Sequence, residues 1–161
     1  MSGRRQLLKN AMLGAAAVAL GLPRVPRAEV PAGLGEVSGR VVWVDFWASW
    51  CVPCRRSFPW LNEMQARYGS QGLQIIGVNV DKQRRLANEF LQTTPAQFDL
   101  RYDPAGALAE QFGVQAMPSS FVLDAEGQVL TKHFGFRIAD TGEYEAAIVN
   151  ALGGSAGAPT R

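Results

Sequence analysis

Cysteine and histidine are scarce in this 161-residue chain, which has two cysteines and one histidine. Two cysteines cannot form the several disulfides that staple a small scaffold. A structural zinc site needs a full tetrahedral set of ligands, and only Cys51, Cys54 and the distant His133 could supply nitrogen or sulfur. We therefore expect no disulfide scaffold, no metal site and no bound cofactor.

Basic surface is also scarce once the N-terminus is set aside. The chain has 16 Lys and Arg against 14 Asp and Glu, a formal net charge of +2. Residues 1–28 hold five of the basic residues and no acid, so residues 29–161 carry a net charge of about −3. No later segment combines Lys and Arg with aromatic residues as a nucleic-acid surface does. We expect no nucleic-acid partner.

The apolar run of residues 11–22 is too short for a bilayer span, which needs about 20 residues. It follows a basic segment without acids, which predicts an export signal over residues 1–28 rather than a permanent membrane span. The pair Arg4 and Arg5 resembles a twin-arginine signal, which we favour over the general export route. Cleavage is expected after Ala28, although Pro26 stands where Ala is usual, so retention of the segment is the alternative. The predicted location is the periplasm.

Apolar, β-branched runs alternate with segments of helical periodicity. Strands are predicted over residues 41–46, 73–80, 98–101, 119–123 and 129–134. Helices are predicted over residues 53–68, 84–91, 104–112 and from 140 or 141 to 152. The alternation predicts an α/β fold, with a central mixed β-sheet flanked by helices and ending in a β-hairpin and C-terminal helix. Residues 29–152 form the predicted domain, and residues 153–161 are predicted to be a disordered tail.

The two cysteines stand between a predicted buried strand and the start of a helix. A cysteine at a helix start faces unpaired N–H groups and the positive end of the helix dipole, which favours its thiolate. Cys51 is therefore the predicted nucleophile, and Cys54, one turn further on, would resolve the mixed disulfide. The alternative is an inert structural disulfide, but so short a loop would stabilise the fold poorly.

Four other residues are candidates for a role or have to be weighed against one. Asp45 lies in the first strand, where a buried carboxyl with a raised pKa could take and return the proton of Cys54. The alternative is an acid at a strand end that reaches water. Trp50 and Val52 would receive partner proteins, although Trp50 could equally be core packing. His133 is predicted to be a surface residue without a catalytic role.

Residues 44–54, together with Pro59 and the pair Met117-Pro118, resemble thioredoxins. Within that superfamily, residues 77–81, 103–104, 112–114 and 121–127 are similar to the membrane-associated or periplasmic TlpA-like group. The match runs from about residue 40 to residue 152. The resemblance implies the thioredoxin fold, with a cis Pro118 beside Cys51 and a Met117 backbone that pairs with an extended substrate segment. The predicted substrate-binding residues are Trp50, Val52, Pro53, Met117 and Pro118.

The sequence departs from the TlpA-like pattern in three places. Ser57 stands where these proteins usually carry Glu, and Asp45 stands where they often have Asn. The proton-handling acid is therefore expected to be Asp45, which favours a broad disulfide reductase over a dedicated role in cytochrome c maturation. The group's N-terminal strand hairpin is not evident, so we expect a trimmed sheet edge.

Together these features predict a periplasmic thiol-disulfide oxidoreductase that reduces disulfides of exported client proteins. A membrane thiol protein would supply its electrons, and the chain is expected to be a monomer. One alternative is an oxidase that donates its disulfide, because Val52 and Pro53 between the cysteines do not settle the direction. The other is a non-catalytic binding module that uses the groove around Pro118.

Overall fold

A computed structural model describes residues 30–35, 37 and 40–155 of the chain. The predicted export signal, residues 1–28, and its cleavage site lie outside the described residues. Residues 156–161 of the predicted tail do so as well.

The described chain alternates strands and helices much as predicted. The strands are β1 Val41–Trp47, β2 Leu73–Asn79, β3 Asp99–Tyr102, β4 Ser119–Leu123 and β5 Val129–Phe134. The helices are α1 Val52–Tyr68, α2 Arg84–Thr93, α3 Ala107–Phe112 and α4 Thr141–Ser155. Short 3-10 turns occupy Ala32–Leu34, Gly69–Gln71 and Ile138–Asp140.

The five strands form one mixed sheet in the order β3-β2-β1-β4-β5. The pairs β1–β2 and β2–β3 are parallel, whereas β1–β4 and β4–β5 are antiparallel. This arrangement confirms the predicted fold class, including the hairpin and the C-terminal helix. The parallel pairing brings the carboxyl ends of β1 and β2 to the same edge of the sheet, and the redox site lies at this edge.

All seven residues of the central strand β1 are buried, which explains its apolar run. Successive side chains of a strand point to opposite faces of the sheet. Trp43 and Trp47 therefore pack into a first core with the inner face of α1, including Cys54 and Phe58. The intervening side chains of β1 pack into a second core on the other face, which includes Phe112 of α3.

The segment before β1 packs against the second core. Leu34 is fully buried there and Val37 is 2% exposed. Gly33 lies so close to Leu108 of α3 that a Cβ atom at position 33 would stand 2.8 Å from it. The described residues before β1 form a short 3-10 turn at Ala32–Leu34 and pack on the second core through Leu34 and Val37.

The helix predicted from Pro104 begins later, at Ala107. Residues 103–106 form a turn in which the Gly106 N–H donates to the Asp103 carbonyl at 3.0 Å. Gly106 has a φ of +80°, which is left-handed backbone and interrupts a helix. The Asp103 carboxylate then accepts the Ala109 N–H at 2.9 Å, satisfying one of the free donors of the first turn of α3.

The boundary predicted for the C-terminal tail is wrong for residues 153–155. Helix α4 continues through Ser155, beyond the predicted end at Leu152. Glycine disfavours helix by about 1 kcal/mol per residue. Burial of Ile148 and Ala151 against the first core stabilises the last turns of α4 enough to carry the helix across Gly153.

Candidate redox site

The cysteine pair lies where β1 passes into α1. After Trp47 a short loop leads to Cys51, which is the N-cap residue of α1 with extended backbone. Pro53 occupies the first turn, where its missing N–H leaves no hydrogen bond unmade. The rest of the inner face of α1 repeats at spacings of three and four residues and is anchored by buried Phe58 and Leu61.

Cys51 and Cys54 are joined by a disulfide with an S–S distance of 2.02 Å. The Cys51 sulfur also accepts the backbone N–H of Cys54 at 3.2 Å, so it takes the place of a capping oxygen at the start of α1. A sulfur in this position faces the positive end of the helix dipole, which stabilises negative charge on it after reduction.

Both cysteines are buried, and Cys51 is the slightly more exposed of the two. Cys51 is 3% exposed, whereas Cys54 is fully buried. The residues on either side of Cys51 are open to solvent, since Trp50 is 68% exposed and Val52 is 59% exposed. The interpretation of Trp50 as core packing is therefore wrong, and both side chains present apolar surface on either side of Cys51 in the chain.

The peptide bond between Met117 and Pro118 is cis, as the resemblance implied. Ser119, which follows it, pairs with Phe46 near the end of β1, so this proline lies at the same sheet edge as the cysteine loop. The Pro118 carbonyl accepts the Gly135 N–H at 2.8 Å, which ties the loop to the residue after β5. Met117 is partly buried and packs against the first core, to which Cys51 and Cys54 belong.

Asp45 is 1% exposed in the middle of β1, so the interpretation as a strand-end acid in water is wrong. One carboxyl oxygen accepts the Ser120 hydroxyl at 2.6 Å, and the other has no hydrogen-bond partner within the described part of the chain. Loss of hydration raises the pKa of Asp45 from 3.8 to about 7, against the smaller lowering effects of the Ser120 and Trp43 side chains. By strand alternation Asp45 lies on the face of Trp43 and Trp47, the face on which Cys54 is buried.

The structure also shows the contacts of Ser57 and His133. Ser57, at the position where the TlpA-like group has Glu, is 1% exposed and donates its hydroxyl to the Cys54 carbonyl at 3.1 Å. His133 is not a plain surface residue, because its ring stacks on Trp43 at 5.5 Å and contacts the Tyr144 ring at 4.9 Å. Partial burial lowers the pKa of His133.

A carboxylate that had no predicted role holds the loop before the cysteines. Asp81 is 5% exposed and accepts both the N–H and the hydroxyl of Ser49, each at 2.9 Å. It also accepts the side-chain amide of Asn79 at 2.7 Å. The signal available in the sequence is a polar residue just after a buried strand, at the edge where parallel strands end, but its partner Ser49 is 32 residues away.

Two further features concern what the described residues contain. No three of their His, Cys, Asp and Glu side chains come together in a way that could bind a metal ion. Over the same part of the chain, no helix combines the length and apolar character required to span a bilayer.

The sheet order, the cis proline and the cysteines at the start of α1 are the features of the thioredoxin superfamily. The crystal structure of a Chlorobium tepidum protein assigned as thiol:disulfide interchange protein DsbE superposes with a TM-score of 0.71 and 48% identity, covering 72% of this chain and 82% of that one. StoA from Bacillus subtilis shares the fold alone, with a TM-score of 0.59 and 21% identity over 68% of this chain and 84% of that one. The chain belongs to the Redoxin family, whose model matches residues 12–148. The resemblance to the TlpA-like group of thioredoxins is confirmed.

Curated relatives match the central part of the chain. Thiol-disulfide oxidoreductase ResA of Bacillus thuringiensis subsp. konkukian is 30% identical over 97 residues, which is 60% of this chain and 56% of the relative. ResA of Geobacillus thermodenitrificans is 31% identical over 96 residues, again 60% of this chain and 55% of the relative. The chain therefore spans little more than half the length of these relatives.

Proposed function

We propose that this protein is a thiol-disulfide oxidoreductase that reduces disulfides of exported proteins by cycling Cys51 and Cys54 between dithiol and disulfide. The observation that carries this proposal is the position of the Cys51 sulfur, which accepts the Cys54 N–H at the start of α1 at 3.2 Å. The same sulfur belongs to the more accessible member of the pair. A thiolate is the attacking form of cysteine, and this position stabilises it. The similarity to thiol-disulfide oxidoreductase ResA and to the thiol:disulfide interchange protein DsbE supports the same activity.

The reaction begins with the dithiol form. The Cys51 thiolate attacks one sulfur of a client disulfide, forming a mixed disulfide and releasing the other client sulfur as a thiolate, which takes up a proton. Cys54 then loses its proton, and its thiolate attacks the Cys51 sulfur. This step releases the second client thiol and leaves the Cys51–Cys54 disulfide. Two electrons pass to the client in one cycle, and a membrane thiol protein returns them by reducing the disulfide.

Asp45 is the proposed base and acid for Cys54. A carboxyl with a pKa of about 7 is partly ionised near neutral pH, so it can both accept and return a proton there. Its second oxygen has no partner among the described residues, which leaves it free to bind that proton. Ser57 supplies no carboxylate at the position where the TlpA-like group has Glu. This difference supports a broad reductase rather than a reductase dedicated to cytochrome c maturation.

The proposed client-binding surface surrounds Cys51. Trp50 and Val52 supply exposed apolar contacts, and Pro53 lies beside Val52 in the first turn of α1. Met117 precedes the first paired residue of β4, so the β-ladder does not use its backbone groups. They can therefore pair with an extended client segment, as in strand addition, with the cis Pro118 next to them.

The proposed location is the periplasm, reached through a twin-arginine signal in residues 1–28 and without a permanent membrane span. We propose that the protein acts there as a monomer. The support for export is the basic, acid-free segment followed by a short apolar run.

The reduction potential is the measurement that tests the direction of the reaction. The protein is equilibrated with glutathione buffers, and the dithiol fraction is measured by thiol trapping. A value below about −200 mV, towards that of thioredoxin, is expected for a reductase. A value near −120 mV would make the protein a disulfide donor.

A trapping experiment tests whether the protein acts on clients at all. Replacing Cys54→Ala removes the resolving thiol, so mixed disulfides through Cys51 should accumulate with many exported proteins. Cys51→Ala is the matched control and should trap far fewer. A protein that reduces no insulin disulfide and traps no client would instead be a binding module.

A further inference from the structure

Three exposed cations lie on the α2 side of the redox site. They are Arg55 in the first turn of α1, and Lys82 and Arg84 around the start of α2. We call this set the cationic wall. None of its members forms an ion pair with any described residue.

Arg55 holds its charge next to the cysteine loop. Its guanidinium donates to the Ser49 carbonyl at 3.4 Å and lies 4.7 Å above the Phe90 ring. Both partners are neutral, so the positive charge is not compensated. Because Ser49 is two residues before Cys51, this charge borders the loop that carries the Cys51 sulfur.

Asp81 ties the chain segment that carries Lys82 and Arg84 to the same loop. The Asp81 carboxylate binds the N–H and hydroxyl of Ser49, and Lys82 is the next residue. The Lys82 ammonium donates to a backbone carbonyl at 2.9 Å, and the Arg84 guanidinium lies 3.9 Å above the Tyr102 ring. These contacts are again with neutral groups.

The nearby acids present little free negative charge at the surface beside the cationic wall. Asp81 and Asp103 are only 5% and 6% exposed. Glu89 lines a pocket with Ser49 and Arg55, but it pairs with Arg85. Other acids lie towards the opposite end of the sheet or of α1: Glu63, Asp99, Asp124, Glu126 and Glu145. The exposed charges without an ion-pair partner on this side of the redox site are therefore cations, although residues 29–161 carry a net charge of about −3.

The other side of the site is apolar. Beyond the cis proline, Phe134 at the end of β5 is 63% exposed and Ile138 is 71% exposed. A segment that crosses Cys51 would thus meet apolar side chains on one side and positive charge on the other.

We propose that the cationic wall selects clients that carry acidic side chains close to the cysteine that Cys51 attacks. This inference rests on the proposed function and adds a class of client to it. Opposite charges at exposed sites mainly raise the rate of association, and salt weakens the effect within a Debye length of about 8 to 10 Å. Acidic segments should therefore react faster than neutral ones at low salt.

The test uses three synthetic disulfide peptides that differ only beside the cysteine, with Glu, Gln or Lys at the flanking positions. The second-order rate constant for their reduction by the dithiol protein is measured by stopped flow. At low salt the Glu peptide should react about tenfold faster than the Gln peptide, and the Lys peptide should be slowest. At high salt the three rates should converge.

Matched double variants separate the cationic wall from the overall charge. Lys82→Gln with Arg84→Gln should abolish most of the preference for the Glu peptide. Arg40→Gln with Lys132→Gln removes the same charge away from the site and should keep it. Equal rates for the three peptides at low salt, or an equal loss of preference in both double variants, would overturn the inference. Reduction of the Gln peptide by the unmodified protein tests the proposed function separately, because it needs no charge selection.

Discussion

Asp45 should make the stability of the oxidised protein fall as the pH rises. Its pKa is about 7 in the folded protein, compared with the ordinary value of 3.8 that we take for the unfolded chain. Between these values the folded protein holds a proton that the unfolded chain has released, so the free energy of unfolding decreases with pH. The contribution of protonated Asp45 to the free energy of unfolding is complete below pH 3.8 and is lost once the pH passes about 7.

The size of the effect follows from the difference in pKa. Each unit corresponds to about 1.4 kcal/mol, so burying the ionised carboxyl costs on the order of 4 kcal/mol at high pH. Asp45→Asn removes this cost and keeps an oxygen for the Ser120 hydroxyl. Its amide nitrogen would replace the oxygen that has no partner in the described structure, which costs about 1 to 2 kcal/mol. The variant should therefore be about 2 to 3 kcal/mol more stable than the original protein at pH 8.5 and within about 1 kcal/mol of it at pH 4.

Urea unfolding of the disulfide form at a series of pH values measures this effect. The disulfide keeps Cys51 and Cys54 from titrating, so their ionisation does not enter the comparison. Asp99→Asn is the matched control, since it makes the same chemical change at an exposed position. If Asp45→Asn gave the same gain at pH 4 as at pH 8.5, the argument that burial raises this pKa would be refuted.

Three more predictions concern the proton of Cys54, the hydrogen bonds by which Asp81 holds the loop at Ser49, and the segment before β1. Asp45→Asn should lengthen the lifetime of the mixed disulfide at pH 7, measured by acid quenching and gel separation, whereas an unchanged lifetime would exclude Asp45 as the base. Asp81→Ala should lower the free energy of unfolding by about 3 kcal/mol, because Ser49 and Asn79 lose their acceptor. Asp81→Asn can still accept the Ser49 N–H and should lose less stability in the same urea experiment. Equal losses for the two variants would contradict a stabilising role of the hydrogen bonds to Ser49. Leu34→Ala should cost about 2 to 4 kcal/mol in urea unfolding, since Leu34 is fully buried. Ile138→Ala, at a 71% exposed position, is its control, and similar losses for the two would show that residues 30–35 and 37 are not part of the folded core.

Local patterns in the sequence determined most of the secondary structure. Strands β4 and β5 have the predicted bounds, because each is a short run delimited by turn-forming residues. The junction between β1 and α1 was predicted for the same reason, and with it the positions of Cys51 and Cys54. The resemblance to thioredoxins supplied the cis bond before Pro118, which the residues alone do not indicate.

Tertiary structure decided which side chains meet and which reach water. Trp50 is exposed whereas Trp43 and Trp47 are buried, although all three are tryptophans within a few residues of one another. The difference arises because Trp43 and Trp47 belong to β1 and face the first core, whereas Trp50 lies in the loop after it.

The contacts that complete the site join distant parts of the chain. Asp81 binds Ser49 across 32 residues, and Ser120 binds Asp45 across 75. The cationic wall likewise combines residues from the starts of α1 and α2. These contacts depend on the parallel pairing of β1 with β2 and the antiparallel pairing of β1 with β4, which bring together residues that no local pattern relates. The sequence by itself thus determined the elements and the reactive pair, and the order of the strands decided the environment in which that pair reacts.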